Sequence, residues 1–208
     1  PPEPEVPRDR PPRPEPSRRP TTSLASSRAP APGPPTATAR HRFFLEIFSG
    51  CGYLSGALSE IGLRIASPVD IDNGNHFDVS DKRVQQVILM WIRTCKLWHV
   101  HLATPCSRWS KARTTGAATE NGLAAAAFTV RVIRGCRRAG VTWSLENPAG
   151  SALWSWAPLR RAWRRVRAGT VLLDQCQYGT PYKKPTRFDT TAASLGVLAA
   201  SCTCSRHK

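Results

Sequence analysis

The stretch FFLEIFSGCGYLSGALSEIG, residues 43–62, decides the fold. It opens on FFLEIF (43–48), a short apolar run suited to a buried strand. Gly50 and Gly52 interrupt that run one residue apart, which marks a tight turn. LSGALSEIG (54–62) then reads as a helix closed by Gly62. A strand, a glycine turn and a helix in succession are the opening unit of an α/β sheet.

The same alternation continues along the chain. LRIASPVDID (63–72) is a second strand candidate ending in acids. VQQVILMWIRTCKLW (84–98) is apolar nearly all round and too long for one strand, so it is expected to be a buried helix. HVHLAT (99–104) is a third strand, stopped by Pro105. ENGLAAAAFTVRVIRGCRRAG (120–140) is Ala-rich and helical, with late basic residues that suit the helix dipole. VTWSL (141–145) is a fourth strand, ending at Glu146-Asn147-Pro148. PLRRAWRRVRAG (158–169) is a basic helix, and TVLLDQ (170–175) and TRFDTT (186–191) form a closing hairpin-like pair. The expected fold is α/β with a mainly parallel sheet. No internal repeat is visible.

Residues 1–40 differ in kind. They hold 13 of the 19 prolines, one Leu, one Val and no aromatic residue. Such a segment cannot bury enough surface to offset its chain entropy, so it is expected to be a disordered Pro/Arg-rich tail. Residues 41–208 are expected to be one compact domain. The net charge is +16, and the tail carries only seven Arg against four acids, so the domain itself is basic. A field of that sign predicts a polyanionic partner, above all nucleic acid.

Seven cysteines at irregular spacing argue against a secreted disulfide framework. No apolar run approaches the roughly 20 residues of a membrane span, and no membrane partner is expected. No signal-peptide core is present, so an intracellular location is expected, nuclear in a eukaryote. Residues 17–40, rich in Ser, Thr and Arg and free of acids, keep an organelle open. The sequence does not begin with Met, which suits a processed form or a piece of something larger.

Reactive-looking residues collect where an open parallel sheet binds its ligands, beyond the carboxyl ends of the strands. The Gly50/Gly52 turn follows the first strand, Asp70 and Asp72 close the second, Cys106 follows the third, and Glu146 and Asn147 follow the fourth. A glycine turn lets backbone approach a ligand closely. An acid 20 residues on, the spacing of Gly50 to Asp70, can accept hydrogen bonds from ribose hydroxyls. Asp78 either reaches an adenine amino group or caps the helix that begins near Lys82.

FSGCGYLSGALSEIG, the Asp70–Asp72 acids, TPCSRWS, LENP and YGTPYKKPTRF occur in the order of the motifs of the cytosine-C5 methyltransferases, and residues 43–191 resemble that family. The resemblance implies a Rossmann-like fold and S-adenosylmethionine as cofactor. It implies methyl transfer to C5 of cytosine in nucleic acid, DNA in preference to RNA. Cys106 would add to C6 as a thiolate, making C5 nucleophilic toward the sulfonium methyl. Glu146 would contact N3 and the exocyclic amine, and Asn147 would brace the loops. Lys184 and Arg187 would contact the cytosine carbonyl or a phosphate. Phe48 and Gly50 would line the methionine end of the cofactor, Asp70 or Asp72 the ribose, and Asp78 the adenine, with Ser49, Gly52 and Pro105 also in the cofactor site. A catalytically inactive module that binds nucleic acid or a partner subunit is the alternative.

The sequence departs from the family pattern at several places. Ser107 stands where Gln is usual, and Pro148 where Val is usual. Lys184 and Thr186 fall on two arginine positions, with Arg187 one place off. Only residues 192–208 follow the last matched segment, where the family has a recognition domain and a final cofactor-binding helix. A partner subunit or a further segment is therefore expected to supply target recognition. Trp109 suits either a base-stacking or a core position. The Arg160, Arg161, Arg164, Arg165 and Arg167 cluster suits a solvated face or a phosphate track. The run Arg108, Trp109, Lys111 and Arg113 suits a wall of the nucleic-acid groove. Thr180-Pro181-Tyr182 resembles the Pro-Pro-Tyr of amino-methyltransferases but lies on the wrong side of the sheet order. Cys202, Cys204 and His207 offer three zinc ligands, short of the usual four, so no metal site is assigned.

Overall fold

The structure is a computed structural model that describes residues 41–107, 109, 120–164 and 166–205. The tail and residues Arg108, Lys111, Arg113, Arg165 and His207 lie outside them.

Five strands form one sheet: β1 (Phe43–Ile47), β2 (Leu97–Leu102), β3 (Thr142–Pro148), β4 (Gly169–Asp174) and β5 (Pro185–Thr190). Their order is β1-β2-β3-β5-β4. β1, β2 and β3 are parallel neighbours, and β5 pairs antiparallel with both β3 and β4. Four strands thus share one direction and β5 alone opposes them, a Rossmann-like α/β sheet with an antiparallel closing pair. Helices α1 (Tyr53–Glu60), α2 (Lys82–Arg93), α3 (Glu120–Ala139) and α4 (Ala157–Trp163) join or flank the strands.

Strand alternation gives the sheet two chemically different faces. Leu45 and Ile47, Val100 and Leu102, and Trp143 and Leu145 share one face in register. They form a single buried cluster with Ile88 and Ile92 of α2, Phe128, Val132 and Ile133 of α3, and Leu159 of α4. The other face carries Glu46, His99, His101, Ser144 and Glu146. Burial of the apolar face, at about 25 cal/mol per Å² of apolar surface, is the main driving force for this layer. The second face carries polar groups that hydrogen bonds must satisfy.

Four sequence expectations change. Residues 63–72 touch β1 only through two single bridges, Phe44 with Ile65 and Ile47 with Val69. Pro68 has no N–H to offer a ladder and sits inside this segment, which keeps it from becoming a strand. The long apolar run 84–98 is two elements: α2 ends at Arg93, Cys95 turns at φ 54°, and β2 begins at Leu97. α2 is also amphipathic, with Val87 and Met90 exposed and Ile88 and Ile92 buried. β3 runs on through Glu146, Asn147 and Pro148, because β5 pairs with all three. The basic helix ends at Trp163, well short of residue 169.

Candidate active site

The glycine turn is a strained junction. Phe48 has φ 62°, Gly50 φ 51° and Gly52 φ 67°. Glycine tolerates that region freely, whereas a side chain there is uncommon and tends to mark a functional turn. A Cβ on Gly52 would also lie 3.3 Å from the Pro68 ring. Asp70 holds the turn from the other side: its carboxylate accepts from Gly50 N at 2.8 Å and from Asp72 N at 3.1 Å. Ser49 Oγ accepts from the Asn73 amide at 3.4 Å. Glu46, buried in β1, accepts from both the amide and the hydroxyl of Ser55, at 2.9 and 2.6 Å, and so anchors α1.

Beside this turn lies a cavity of about 220 Å³, lined by Phe48, Asp70, Ile71, Asp78, Pro105 and the first turn and a half of α3 at Ala124 and Ala125. Four expected cofactor residues, Phe48, Asp70, Asp78 and Pro105, thus meet around one space. Ser49, Gly50 and Gly52 build the turn without lining it. Asp72 is exposed and acts through its backbone, whose amide ties down Asp70. Asp78 accepts from the Ser80 amide at 2.8 Å and the Ser80 hydroxyl at 2.7 Å, and these bonds hold its carboxyl below the usual range. The cap of α2 is Asp81, which accepts from Arg83 N at 2.7 Å. The capping alternative for Asp78 is therefore corrected.

Cys106 follows β2, is exposed, and adjoins the cavity through Pro105. Its loop is tied on two sides. Asn147 Nδ2 donates to Thr104 O at 2.6 Å, linking the loop to β3. The Thr104 hydroxyl meets the Thr129 hydroxyl at 2.7 Å, and Thr129 donates to Ala125 O at 3.1 Å, linking it to α3. These bonds hold the Thr104 start of the loop to β3 and α3, two residues before Cys106. Asn147 Oδ1 is buried with no hydrogen-bond partner among the described residues.

Glu146 sits on β3, next to the β2 end that leads to Cys106. Burial pushes its carboxyl above the usual range, the Lys184 ammonium pulls it back, and the Glu46 carboxylate adds to the rise. The structure therefore brings Lys184, which turns at φ 34°, into the electrostatic surroundings of Glu146. A carboxyl with a raised pKa retains a proton to donate at higher pH than an ordinary one.

Arg187 is not in this crevice. In β5 it pairs with Asn147, while Phe188 pairs with Glu146, so Arg187 projects from the opposite face. Its guanidinium grips Asp189 with two bonds, 2.8 and 2.9 Å, and lies 4.5 Å over the Trp154 ring. The expectation that it contacts the cytosine or a phosphate is corrected to a structural role. Trp109 is likewise a core residue, buried and 5.5 Å from the Trp156 ring.

Sequence reasoning missed the buried polar face. The Thr142 hydroxyl donates to Trp98 O at 2.7 Å, so it accepts from His99 Nδ1 at 2.9 Å. His99 Nε2 then accepts from the Ser144 hydroxyl at 2.9 Å, and Ser144 accepts from His101 Nδ1 at 2.8 Å. The chain of bonds fixes both tautomers and leaves His101 Nε2 as a lone pair beside Phe188. Burial lowers His99 to about 4, and burial together with His99 lowers His101 to about 3, so both rings are neutral near pH 7. The spacing His99-x-His101, two residues inside one strand, was the available signal.

Among the described residues no helix is long and apolar enough to cross a membrane. No protein-family profile matches the sequence, and no curated protein matches it. Among solved structures, the chain is similar to the S. pombe Dnmt2 methyltransferase, with 14% identity, a TM-score of 0.49, and coverage of 72% of this chain and 50% of that one. It is also similar to a Dnmt2 variant from Spodoptera frugiperda, with 16% identity, a TM-score of 0.48, and coverage of 72% and 49%. The chain spans about half the length of these solved proteins.

Proposed function

We propose that the chain is an S-adenosylmethionine-dependent methyltransferase that acts on C5 of cytosine in nucleic acid, DNA in preference to RNA. One observation carries this reading. An exposed cysteine follows β2 next to a cavity lined by two acids and a strained aromatic residue, and the neighbouring parallel strand β3 carries a carboxyl of raised pKa.

The cofactor, when bound, supplies an electrophilic methyl group. Asp70, Asp78, Phe48 and Pro105 are the residues that would hold it, and the acids suit ribose hydroxyls and an adenine amine. Cys106 supplies the nucleophile that adds to the pyrimidine ring. Glu146 offers a proton at ring N3 and so offsets the charge that develops there. Lys184 keeps part of the Glu146 charge compensated, and Asn147 positions the Cys106 loop through Thr104. A base in a duplex must be unstacked first, at a cost of a few kcal/mol, which the basic surface helps to offset.

A second reading, a methyltransferase-like module that binds nucleic acid without turnover, is favoured by Arg187, whose guanidinium is already committed to Asp189. Methyl-labelled S-adenosylmethionine separates the two. Label at C5 of cytosine in a duplex oligonucleotide, lost in Cys106→Ala, supports the enzyme. Salt-dependent oligonucleotide binding with no label transfer supports the module. Calorimetry with S-adenosylhomocysteine tests the cofactor half separately: Asp78→Ala should weaken binding about tenfold or more, the loss of one charge-assisted bond.

A further inference from the structure

Three cysteines meet at the far edge of the sheet. Cys176 lies in the turn Gln175–Tyr178 that leaves β4, and Cys202 and Cys204 lie in the extended segment after Leu198. Their sulfur atoms all fall within 4.8 Å of one another, all three are half-buried, and none is in a disulfide. Tetrahedral zinc with bonds of about 2.3 Å spaces its sulfur ligands roughly 3.8 Å apart, so a small inward shift completes the set. We infer that Cys176, Cys202 and Cys204 form a zinc-thiolate site.

The backbone holds the ligands in place for it. Asp174 N donates to Ala200 O at 2.8 Å, and Ala200 N donates to Leu172 O at 3.2 Å. Cys202 N donates to Asp174 Oδ2 at 2.7 Å, and the Tyr178 hydroxyl donates to Leu198 O at 2.6 Å. The C-terminal segment is thereby laid along β4. Cys202 and Cys204, two apart in an extended chain, face the same side. The Gln177 amide lies 3.9 Å from both Cys176 Sγ and Cys204 Sγ, where it can donate to thiolates as an outer-shell group. An all-thiolate set selects a soft or borderline metal over magnesium or calcium.

The site would have a purpose beyond its own edge. Cys176 and Lys184 stand at opposite ends of the β4–β5 connection, which Gln175 closes through its amide N–H to Lys184 O, at 3.4 Å, and its side chain to Thr186 Oγ1, at 3.2 Å. A metal at Cys176 would fix the base of the loop that delivers Lys184 toward Glu146. This inference does not depend on the proposed reaction.

Elemental analysis of the 208-residue chain, purified with reductant and dialysed against a mild chelator, is the test. One zinc per chain is expected. Cys176→Ser and Cys202→Ser should each lose it in that dialysis, and Cys51→Ser, an exposed cysteine outside the cluster, should retain it. Because the Ser variants could unfold, the wild type is also loaded with cobalt, where a sulfur-to-cobalt charge-transfer band and tetrahedral d–d bands are expected. Absence of that spectrum, iron or copper in place of zinc, a disulfide within the trio, or equal zinc retention by Cys176→Ser would overturn the inference.

Discussion

Glu146 carries a carboxyl that the fold holds at a cost. Burial and the Glu46 charge raise its pKa, against the pull of Lys184. The folded chain therefore binds this proton more tightly than the unfolded chain does. Linkage gives the sign: stability from this group is present at low pH and is lost as pH rises through the raised folded value. Glu146→Gln removes that loss. Chemical denaturation from acid to neutral pH should show the variant gaining stability relative to wild type as pH rises, while label transfer to cytosine collapses. A stability difference between variant and wild type that stays constant with pH would contradict this account of Glu146. Gly52 offers a steric test at the same scale. An L-residue in its left-handed conformation costs roughly 1–2 kcal/mol, and the Cβ would press on Pro68 at 3.3 Å. Gly52→Ala should lower stability by about that amount in urea denaturation and weaken S-adenosylhomocysteine binding. Gly56→Ala, with open space at its Cβ, should do neither.

At the scale of elements, β2 leads to the candidate nucleophile and β3 carries Glu146 and Asn147, and the two differ in how much the sequence reveals. The strand-to-loop change at Thr104-Pro105-Cys106 is legible, because proline ends a ladder and a cysteine after it is conspicuous. The tie from Asn147 to Thr104 is not, since it needs the two strands in register. The limits of α2 are obscured because its apolar residues run straight into those of β2, and only a backbone turn at Cys95 separates them. Arg187 is hard to place for a related reason: one residue of register in β5 moves a side chain to the other face of the sheet. Cys176 escapes a linear reading because the chain brings it to Cys202 from 26 positions away. The buried histidines of β2 make a prediction of their own. Both stay neutral in the folded chain and titrate normally when unfolded, so the unfolded chain binds more protons below about pH 6.5. Stability should fall as pH drops from about 6.5 toward about 4, by up to about 1.4 kcal/mol per pH unit for each ring. His101→Gln should reduce that slope by about one proton, read from denaturation midpoints across the range; an unchanged slope would contradict the assigned neutral tautomers.

At the scale of the molecule, the arginine-lined clefts among the described residues lie apart from the cavity. The cavity touches the start of α3 at Ala124 and Ala125. Arg131, Arg134, Arg137 and Arg138 lie further along the same helix and, with Arg93, Arg161 and Arg164, line two open clefts of about 440 Å³ each. At 1.5 Å per residue, Arg134 is about 14 Å along the axis from Ala125. Replacing Arg134, Arg137 and Arg161 by Ser should therefore weaken oligonucleotide binding and flatten its log–log salt dependence by up to about 0.9 for each phosphate that is no longer neutralised. Binding of S-adenosylhomocysteine should be unchanged, and a parallel loss of both would mean that the variant has unfolded. The proposed chemistry, however, rests on one sulfur atom after β2 and one carboxyl on the neighbouring strand β3. It is tested most directly by incubating the chain with S-adenosylmethionine and a duplex bearing 5-fluorocytosine, whose fluorine blocks release of the enzyme after methyl transfer. A denaturant-resistant protein–DNA adduct that maps to Cys106 and is absent in Cys106→Ser is the predicted result; no adduct with wild type, or one that survives the substitution, would contradict it.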